Sequence, residues 1–476
     1  MDILFLNPPY LPKYSRSQRS PAVTRSGTLY YPMWLAYAAG VAEARGHRVQ
    51  LVDAPAAGLG IEDILGLTPP HVVIMETSTP SIAADLKTAS RMAERWAGCH
   101  VCLVGPHVTA LPEDTLRSSS AHSVARGEYD ETVADVADAL EGRKDLNSVA
   151  GLSWKDDDAV IHNPPRPPLE DLDGLPPVSR TYARFLHFRD YFNPNALYPM
   201  VTIVSSRGCP YGCTFCVYPY TMTGLRQRCR DVRLVVDEME EIVRLFPGVK
   251  AVFFEDDTLT ARRDHVHALC EEIIRRDVRL SWTANARADV DGETLRLMKR
   301  AHARCLCVGF ESGASEMLRR MGKHLEVDRA RRFMSDARSA GIKVHGCFVV
   351  GMPGETALTM EQTLGLAIEL DPDTAQFYPL MVYPGSPAYD EVRDAGLLVS
   401  DEFSHWLSPQ GHHTAVARTG SLEPEDVARF CSYARRRFYL RPRFILRSSA
   451  RVVTDGGERA RILRATRSFW RHLLRP

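Results

Sequence analysis

Long apolar runs are missing from this sequence, since no stretch approaches the roughly 20 residues that a membrane-spanning helix needs. The opening residues MDILFLNPPY also lack the basic segment and the apolar run of a signal peptide. The sequence also has no formal net charge, because 59 lysines and arginines balance 59 aspartates and glutamates. No overall charge therefore favours a nucleic-acid partner. We expect a cytoplasmic protein that binds no nucleic acid.

A disulfide framework is missing too. Most of the 11 cysteines stand singly in apolar runs, as Cys347 does, which is typical of reduced and buried thiols. The pairs Cys99/Cys102 and Cys305/Cys307 lie in or beside predicted buried strands, and we interpret them as core thiols as well.

Short apolar strands alternate with helical patterns over residues 1–145. The predicted strands are DILFLN, VQLVDA, HVVIMETS and HVCLVG, and an amphipathic helix is predicted from Pro32 to Arg45. This alternation predicts an α/β domain with a doubly wound, Rossmann-like parallel sheet. Ligands of such sheets bind beyond the carboxyl ends of the strands.

The rest of the chain divides into three predicted parts. Residues 146–195 are too proline-rich for a regular helix or a central strand and are predicted to be a linker. Residues 196–395 alternate six predicted strands with helices, which is typical of a partial (β/α)6 barrel of the TIM type. Residues 396–476 form a predicted C-terminal helical, arginine-rich region.

The arginine-rich C-terminal region has two interpretations. We favour a solvated helical face that packs on the barrel. The alternative is contact with a membrane surface or an anionic substrate, because arginines are interleaved with apolar residues as in an interfacial helix. The apolar residues concerned are Ile462, Leu463, Phe469, Trp470 and Leu473.

Three cysteines, Cys209, Cys213 and Cys216, stand close together in the stretch RGCPYGCTFCVYP. A structural zinc site uses four protein ligands, and the residues that follow offer no fourth. Three thiolates suit one face of a [4Fe-4S] cluster and leave one iron open for a substrate or cofactor. Chance cysteines on a surface loop, or a zinc knuckle completed by a distant histidine, are the alternatives. The position after the first predicted barrel strand favours the cluster.

The spacing Cys-x-x-x-Cys-x-x-Cys, with an aromatic residue before the third cysteine, resembles that of the radical S-adenosylmethionine superfamily. The resemblance implies that the amino nitrogen and a carboxylate oxygen of S-adenosylmethionine occupy the open iron. It also implies that one electron from the cluster breaks a carbon–sulfur bond and yields a 5′-deoxyadenosyl radical. We expect an electron donor such as flavodoxin or ferredoxin to supply that electron.

Four later stretches, FFEDDTLT, WTANAR, GFESG and GMPGE, resemble further motifs of this family. The resemblance implies that the first holds the amino group of S-adenosylmethionine and the third its ribose, while a lysine downstream pairs with its carboxylate. GMPGE is implied to bring backbone close to adenine. The implied S-adenosylmethionine residues are Asp256, Asp257, Thr283, Asn285, Glu311, Lys323, Gly351 and Gly354, with Arg287 as a further candidate for cofactor or substrate.

The predicted N-terminal sheet resembles that of the cobalamin-binding subgroup of the superfamily through NPPY, YYPMWLAYAAG, ETSTPS, GPHVTA and RGE. Small or hydroxylated residues at strand ends let a flat corrin lie against the loops, and a glycine leaves room for its nucleotide tail. The implied cobalamin residues are Thr77, Ser78, Gly105, Pro106, His107, Gly127 and Glu128.

One motif of many cobalamin domains, Asp-x-His-x-x-Gly with a cobalt-binding histidine, is absent from the sequence, since Asp53 is followed by Ala54 and Pro55. We interpret His107 as a hydrogen-bonding anchor, with cobalt ligation as the alternative. A domain of this shape without cobalamin is the other alternative.

The resemblance extends to about residue 400 and is close to the branch with the hopanoid-biosynthesis radical enzyme and the anaerobic magnesium-protoporphyrin cyclase. It implies a cobalamin-dependent methyltransferase that acts on an unactivated carbon or phosphorus of a small natural-product or lipid intermediate. Radical cyclisation, ring rearrangement or oxidation without methyl transfer is the alternative. A non-catalytic cobalamin or cluster sensor is an alternative of another class. The sequence identifies no catalytic side chain.

Overall fold

The computed structural model describes residues 1–157 and 159–454, and within them two large sheets form. The first sheet has the order β2-β1-β3-β4-β5-β6-β7. Its strands are β1 (Asp2–Asn7), β2 (Arg48–Asp53), β3 (Val72–Glu76), β4 (His100–Val104), β5 (Ser123–Ala125), β6 (Leu152–Asp156) and β7 (Ala159–His162). The helices along this half of the chain are α1 (Met33–Ala44), α2 (Ala54–Ala57), α3 (Ile61–Leu65), α4 (Ile82–Arg95), α5 (Pro106–Ala110), α6 (Pro112–Arg117), α7 (Asp130–Leu140) and α8 (Val178–Phe185).

The second large sheet has the order β15-β14-β13-β12-β11-β8, and a two-stranded ribbon, β10-β9, lies beside it. The strands are β8 (Met200–Ile203), β9 (Ser206–Arg207), β10 (Arg228–Cys229), β11 (Ala251–Phe254), β12 (Ser281–Ala286), β13 (Ala303–Glu311), β14 (Lys343–Val350) and β15 (Thr374–Pro379). The helices are α9 (Tyr218–Thr221), α10 (Val232–Leu245), α11 (Arg263–Arg275), α12 (Gly292–Arg300), α13 (Ser315–Arg320), α14 (Val327–Ala340), α15 (Ala357–Leu370), α16 (Pro387–Asp394), α17 (Pro424–Tyr439) and α18 (Pro442–Thr454).

Strands β1 to β5 of the first sheet are parallel. The strand order 2-1-3-4-5 reverses direction between β1 and β3, so a crevice forms there at the carboxyl ends. Strands β1 and β3 are continuous apolar runs because both faces of the sheet are covered by helices. The prediction of a doubly wound domain is confirmed.

The proline-rich segment 146–195 contains more regular structure than the sequence analysis expected. Strands β6 and β7 form an antiparallel hairpin on the edge of the first sheet, and α8 follows. The prolines cluster after the hairpin, between 164 and 177, where no strand needs their missing amide hydrogens.

The second large sheet is an open barrel, as predicted. Its six strands are parallel and follow one another in chain order, so β8 and β15 are its edges. Helix α17 covers the β15 edge, where the Tyr439 hydroxyl lies 3.0 Å from the Ala375 nitrogen and 2.6 Å from its carbonyl oxygen.

Buried ion pairs join the first half of the chain to the β9–β10 ribbon beside the second large sheet. Arg207, next to the cysteine stretch, bonds Asp130 at the start of α7 at 2.8 Å and lies over the Trp34 ring, 4.5 Å from its centroid. Arg228 bonds Glu128 at 2.6 Å. All four charged side chains are almost fully buried.

The part of the chain that the structure describes has no helix long and apolar enough to cross a membrane. The apolar residues behind the membrane-surface alternative, from Ile462 to Leu473, lie outside the described residues.

Replacing Asp130 by asparagine leaves the Arg207 guanidinium buried without its counter-ion. We expect the free energy of unfolding to fall by about 3–5 kcal/mol, because an uncompensated buried charge is costly. Urea denaturation measures the change. Asp277→Asn is the matched control, since the Asp277–Arg279 pair is 68% and 75% exposed and is worth about 1 kcal/mol or less. Equal losses for the two variants would contradict the importance of the Asp130 pair.

Candidate active site

A cavity of about 750 Å³ lies within the open barrel, a size typical of small-molecule sites. The wall includes the loop after β1, residues 193–195 before β8, the cysteine loop, strands β11 to β15 with the loops that follow them, residues 412–413, and helices α17 and α18. The cavity is therefore built from residues of both halves of the chain.

The cysteine loop follows β9 and places Cys209, Cys213 and Cys216 on the cavity wall. Gly208 starts the loop with φ +92°, and a Cβ there would lie 2.0 Å from the Arg226 carbonyl oxygen. Only glycine fits this close approach. The tight start turns the chain so that the three thiols face the same space.

The three thiols fit a cluster better than a single ion. The described residues do not bring the three sulfur atoms within 4.8 Å of one another, a spacing that ligands of one ion would meet. Three thiols around a larger volume match the face of a cubane. Burial raises the pKa of the Cys216 thiol to about 12, so its thiolate needs the positive charge that bound iron supplies.

Glu311 and Lys323 form an ion pair on the cavity wall, with 2.7 Å between Nζ and Oε1. The other carboxylate oxygen, Oε2, is buried and has no hydrogen-bond partner among the described residues. Glu311 also has φ +65°, which is uncommon for a non-glycine residue and occurs where a site imposes strain. The free oxygen fits a ligand with hydroxyl groups, such as the ribose of S-adenosylmethionine.

The acidic residues after β11 face opposite ways. Asp257 lines the cavity, where its Oδ2 accepts the Gly208 amide hydrogen at 2.8 Å. Asp256 is fully buried behind the wall and accepts hydrogen bonds from the backbone and hydroxyl of Ser205 at 2.9 and 2.8 Å. Burial raises the pKa of Asp256 to about 6. Its side chain therefore supports the β8–β9 connection and does not reach the cavity.

Two cavity residues, Glu255 and Arg19, were missed by the sequence analysis. Arg19 comes from the loop after β1 and bonds Glu255 at 3.0 Å and Asp257 at 3.2 Å. Alternation along a strand puts residues 255 and 257 on one side and 256 on the other, so the pattern could have identified Glu255. The sequence contained no signal for Arg19, which lies 236 positions before Glu255.

Of the three residues implied from WTANAR, two line the cavity and one does not. Asn285 lines the cavity, and its Nδ2 donates to the Asp256 carbonyl oxygen at 3.1 Å. Arg287 lines it too, with its guanidinium 3.7 Å from the Tyr211 ring centroid. Thr283 is fully buried, and its hydroxyl donates to the Asn195 carbonyl oxygen at 3.0 Å, so it anchors the strand.

The GMPGE turn lies away from the cavity wall. The Gly351 amide donates to the Glu355 carboxylate at 2.6 Å, and the Gly354 amide donates to the Thr419 carbonyl oxygen at 2.7 Å. A Cβ on Gly351 would approach Val427 of α17 at 3.0 Å. The structure thus uses this turn to seat α17 on the barrel.

Several implied cobalamin residues hold the strand ends of the first sheet together. The Thr77 amide and hydroxyl both donate to the Val104 carbonyl oxygen at 2.9 Å. The Ser78 hydroxyl lies 2.9 Å from the Tyr14 hydroxyl. Gly105 has φ +121°, and its Cβ would lie 2.7 Å from the Thr77 carbonyl oxygen. Close packing of β3 against β4 therefore requires this glycine.

The remaining implied cobalamin residues lie beyond β4 and β5. Pro106 starts α5, and the Nδ1 of buried His107 lies 3.1 Å from the Thr79 hydroxyl. Burial lowers the pKa of His107 to about 3, so its imidazole is neutral. The Gly127 amide donates to the Thr109 hydroxyl at 3.0 Å, and Glu128 is occupied by Arg228. His107 has the anchoring contact that the sequence analysis favoured.

Glu76 ends β3, and Tyr129 lies shortly after β5. The Oε2 atom of Glu76 and the hydroxyl of Tyr129 are buried and have no hydrogen-bond partner among the described residues. Ser17 donates to the other Glu76 oxygen at 2.6 Å. Burial raises the pKa of Glu76 to about 7. An unpaired buried polar atom costs about 1–3 kcal/mol, so the pair fits a ligand rich in donors and acceptors. The amide-bearing rim of a corrin is such a ligand.

Two family models match separate regions of the chain. The model of the Radical SAM superfamily matches residues 203–367, and that of the B12 binding domain matches residues 19–137. An uncharacterized methyltransferase of Pyrococcus horikoshii is 29% identical, with 88% of this chain and 90% of that protein covered. The anaerobic magnesium-protoporphyrin IX monomethyl ester cyclase of Rubrivivax gelatinosus is 27% identical, with 94% and 78% covered.

The solved structures include a similar fold. The radical S-adenosylmethionine methyltransferase TsrM from Kitasatospora setae, with cobalamin and a [4Fe-4S] cluster bound, aligns with a TM-score of 0.71 at 17% identity, covering 93% of this chain and 89% of that one. The resemblance stated from the motifs is confirmed. The chain combines a B12 binding domain over residues 19–137 with a Radical SAM superfamily region over residues 203–367.

Proposed function

We propose that the protein is a cobalamin-dependent radical S-adenosylmethionine methyltransferase that acts on an unactivated carbon or phosphorus of a small molecule. The observation behind this proposal is that the cysteine loop and the loop after β1 line the same cavity. The loop after β1 also begins at the crevice of the B12-binding domain. Both cofactors can thus serve one substrate.

When bound, a reduced cluster with S-adenosylmethionine supplies a 5′-deoxyadenosyl radical that removes hydrogen, and cobalamin supplies the methyl group. The protein's own residues bind and orient these groups. Cys209, Cys213 and Cys216 would hold the cluster. Lys323 would attract the cofactor carboxylate, and the free oxygen of Glu311 would accept from the ribose.

Arg19 links the two halves of the chain at the cavity wall. Its guanidinium bonds Glu255 and Asp257, and it lies 5.6 Å from the centroid of the Tyr218 ring. These contacts cover the cysteine loop from the side of the first sheet.

For cobalamin, Glu76 and Tyr129 offer the polar atoms that lack partners. Thr77, Ser78, Gly105, Pro106, His107 and Gly127 would shape the strand-end surface below the corrin. Glu128 would act through its ion pair with Arg228, which fixes the same edge.

A second candidate is a radical ring closure or oxidation without methyl transfer. The similarity to the magnesium-protoporphyrin cyclase, which covers 94% of this chain, supports it. A flavodoxin- or ferredoxin-type electron donor, a cytoplasmic location and contact with a membrane surface stay predictions.

Replacing Cys213 by alanine removes one of three cluster ligands. We expect the iron–sulfur absorbance of the anaerobically reconstituted protein to be lost and 5′-deoxyadenosine formation to stop. Cys270→Ala, in the buried core of α11, is the control and should keep both. A full cluster in Cys213→Ala would contradict the ligand assignment.

Anaerobic reconstitution with hydroxocobalamin should give a cobalamin spectrum that survives desalting. Tyr129→Phe removes a hydroxyl that we assign to the ligand, so we expect its dissociation constant for cobalamin to rise about fivefold. Tyr182→Phe is the matched control, because Tyr182 is also a buried tyrosine whose hydroxyl lacks a described partner. A colourless wild-type protein would refute cobalamin binding. Equal affinity of the two variants for cobalamin would show that the Tyr129 hydroxyl does not contact it.

Methyl transfer can be followed with S-adenosylmethionine labelled in its methyl group. We expect the holoenzyme, given a metabolite extract from a strain that lacks this gene, to form 5′-deoxyadenosine and a product that carries the label by mass spectrometry. The Cys213→Ala protein is the control. A new product without the label would contradict methyl transfer and favour ring closure or oxidation.

A further inference from the structure

The C-terminal helices form one part of the cavity wall. Arg435 and Tyr439 of α17 and Phe444 and Ser448 of α18 line the cavity. The Tyr439 contact with Ala375, near the start of β15, places this wall below the carboxyl ends of the strands. The cysteine loop lies beyond those ends, so the cavity extends from the proposed cluster site down to α17.

Arg435 is a half-buried cation whose hydrogen-bond partners are neutral. Its Nη1 donates to the Phe377 carbonyl oxygen at 2.9 Å and its Nη2 to the Ser432 hydroxyl at 3.0 Å. No carboxylate of the described residues pairs with it. Burial, together with the nearby charge of Arg25, lowers the pKa of Arg435 to about 10. Arg25 lines the same cavity from the loop after β1.

None of the four carboxylates that the structure describes on the cavity wall contacts Arg435, and each is bonded to another group. Glu255 and Asp257 bond Arg19, and Glu311 bonds Lys323. The Oδ2 atom of Asp373 accepts from the Val344 amide at 2.9 Å. A half-buried charge that meets no counter-ion among the described residues costs free energy, and a ligand that brings an anion would recover this cost.

We propose that Arg435, with Arg25 beside it, binds an anionic oxygen group of the substrate: a phosphate, a phosphonate or a carboxylate. The planar fork of N–H groups on a guanidinium matches two oxygens of such a group. The inference rests on the proposed function, in that the cavity is where the substrate binds. It narrows the substrate to an anionic small molecule whose charged end points to α17 and whose reacting atom points to the cysteine loop.

The test is anion binding to the holoenzyme with cluster, cobalamin and S-adenosylmethionine bound. Orthophosphate and acetate are titrated separately by calorimetry, with chloride keeping the ionic strength constant. We expect saturable binding of at least one, weakened about tenfold or more in Arg435→Gln, because a charge-assisted hydrogen bond is lost. Arg437→Gln is the matched control, since it removes an equal charge from an exposed position two residues along α17 and should bind as the wild type does.

The two anions distinguish the sources, since orthophosphate binding indicates a phosphate or phosphonate and acetate binding a carboxylate. Because no carboxylate of the described residues pairs with Arg435, Arg435→Gln should melt no lower than the wild type. If that variant does not fold, Arg435→Lys, which keeps the charge but loses the fork, takes its place with weakened binding expected. No saturable binding of either anion, or equal binding by wild type and Arg435 variants, would overturn the proposal. Binding needs no turnover, so loss of labelled methyl transfer alone would remove the proposed reaction and leave the anion site.

Discussion

The buried pair of Arg207 and Asp130 determines where the chemistry can occur. Arg207 ends β9, and the chain turns into the cysteine loop at the next residue. Asp130 starts α7 of the first sheet's helical layer, so a charge-assisted contact in the interior ties the loop to the other half of the molecule. Asp257 holds the other side of the turn through the Gly208 amide. The cysteine loop is thus fixed to both sheets.

This constraint explains why the two halves share one cavity. The loop after β1 leaves the crevice of the first sheet, where Arg16 pairs with fully buried Asp85 at 2.6 Å. Three residues later, Arg19 pairs with Glu255 and Asp257 of the second sheet. One short segment therefore touches the strand ends of both sheets. Residues of both halves of the chain therefore line one cavity.

The motifs identified the region of the site better than its individual contacts. Of the acidic pair in FFEDD, Asp257 faces the cavity and Asp256 supports the wall, because side chains alternate at a strand end. Glu255, outside the pair, is the second cavity carboxylate. Gly105 is required by packing against Thr77, and Gly351 packs against α17. From the sequence alone, a glycine that packing requires cannot be told from one that a ligand requires.

The sequence by itself determined the alternation of strands and helices, the open barrel and the three cysteines with their missing fourth ligand. These features are local, since side-chain periodicity and ligand spacing are properties of neighbouring residues. Only the tertiary structure decided which charges meet in the cavity. Arg19 and Arg435 come from distant parts of the chain, and their roles depend on which carboxylates the fold has already paired. Charge pairing across hundreds of residues leaves no pattern in a single sequence, because it arises only when the loops and helices pack.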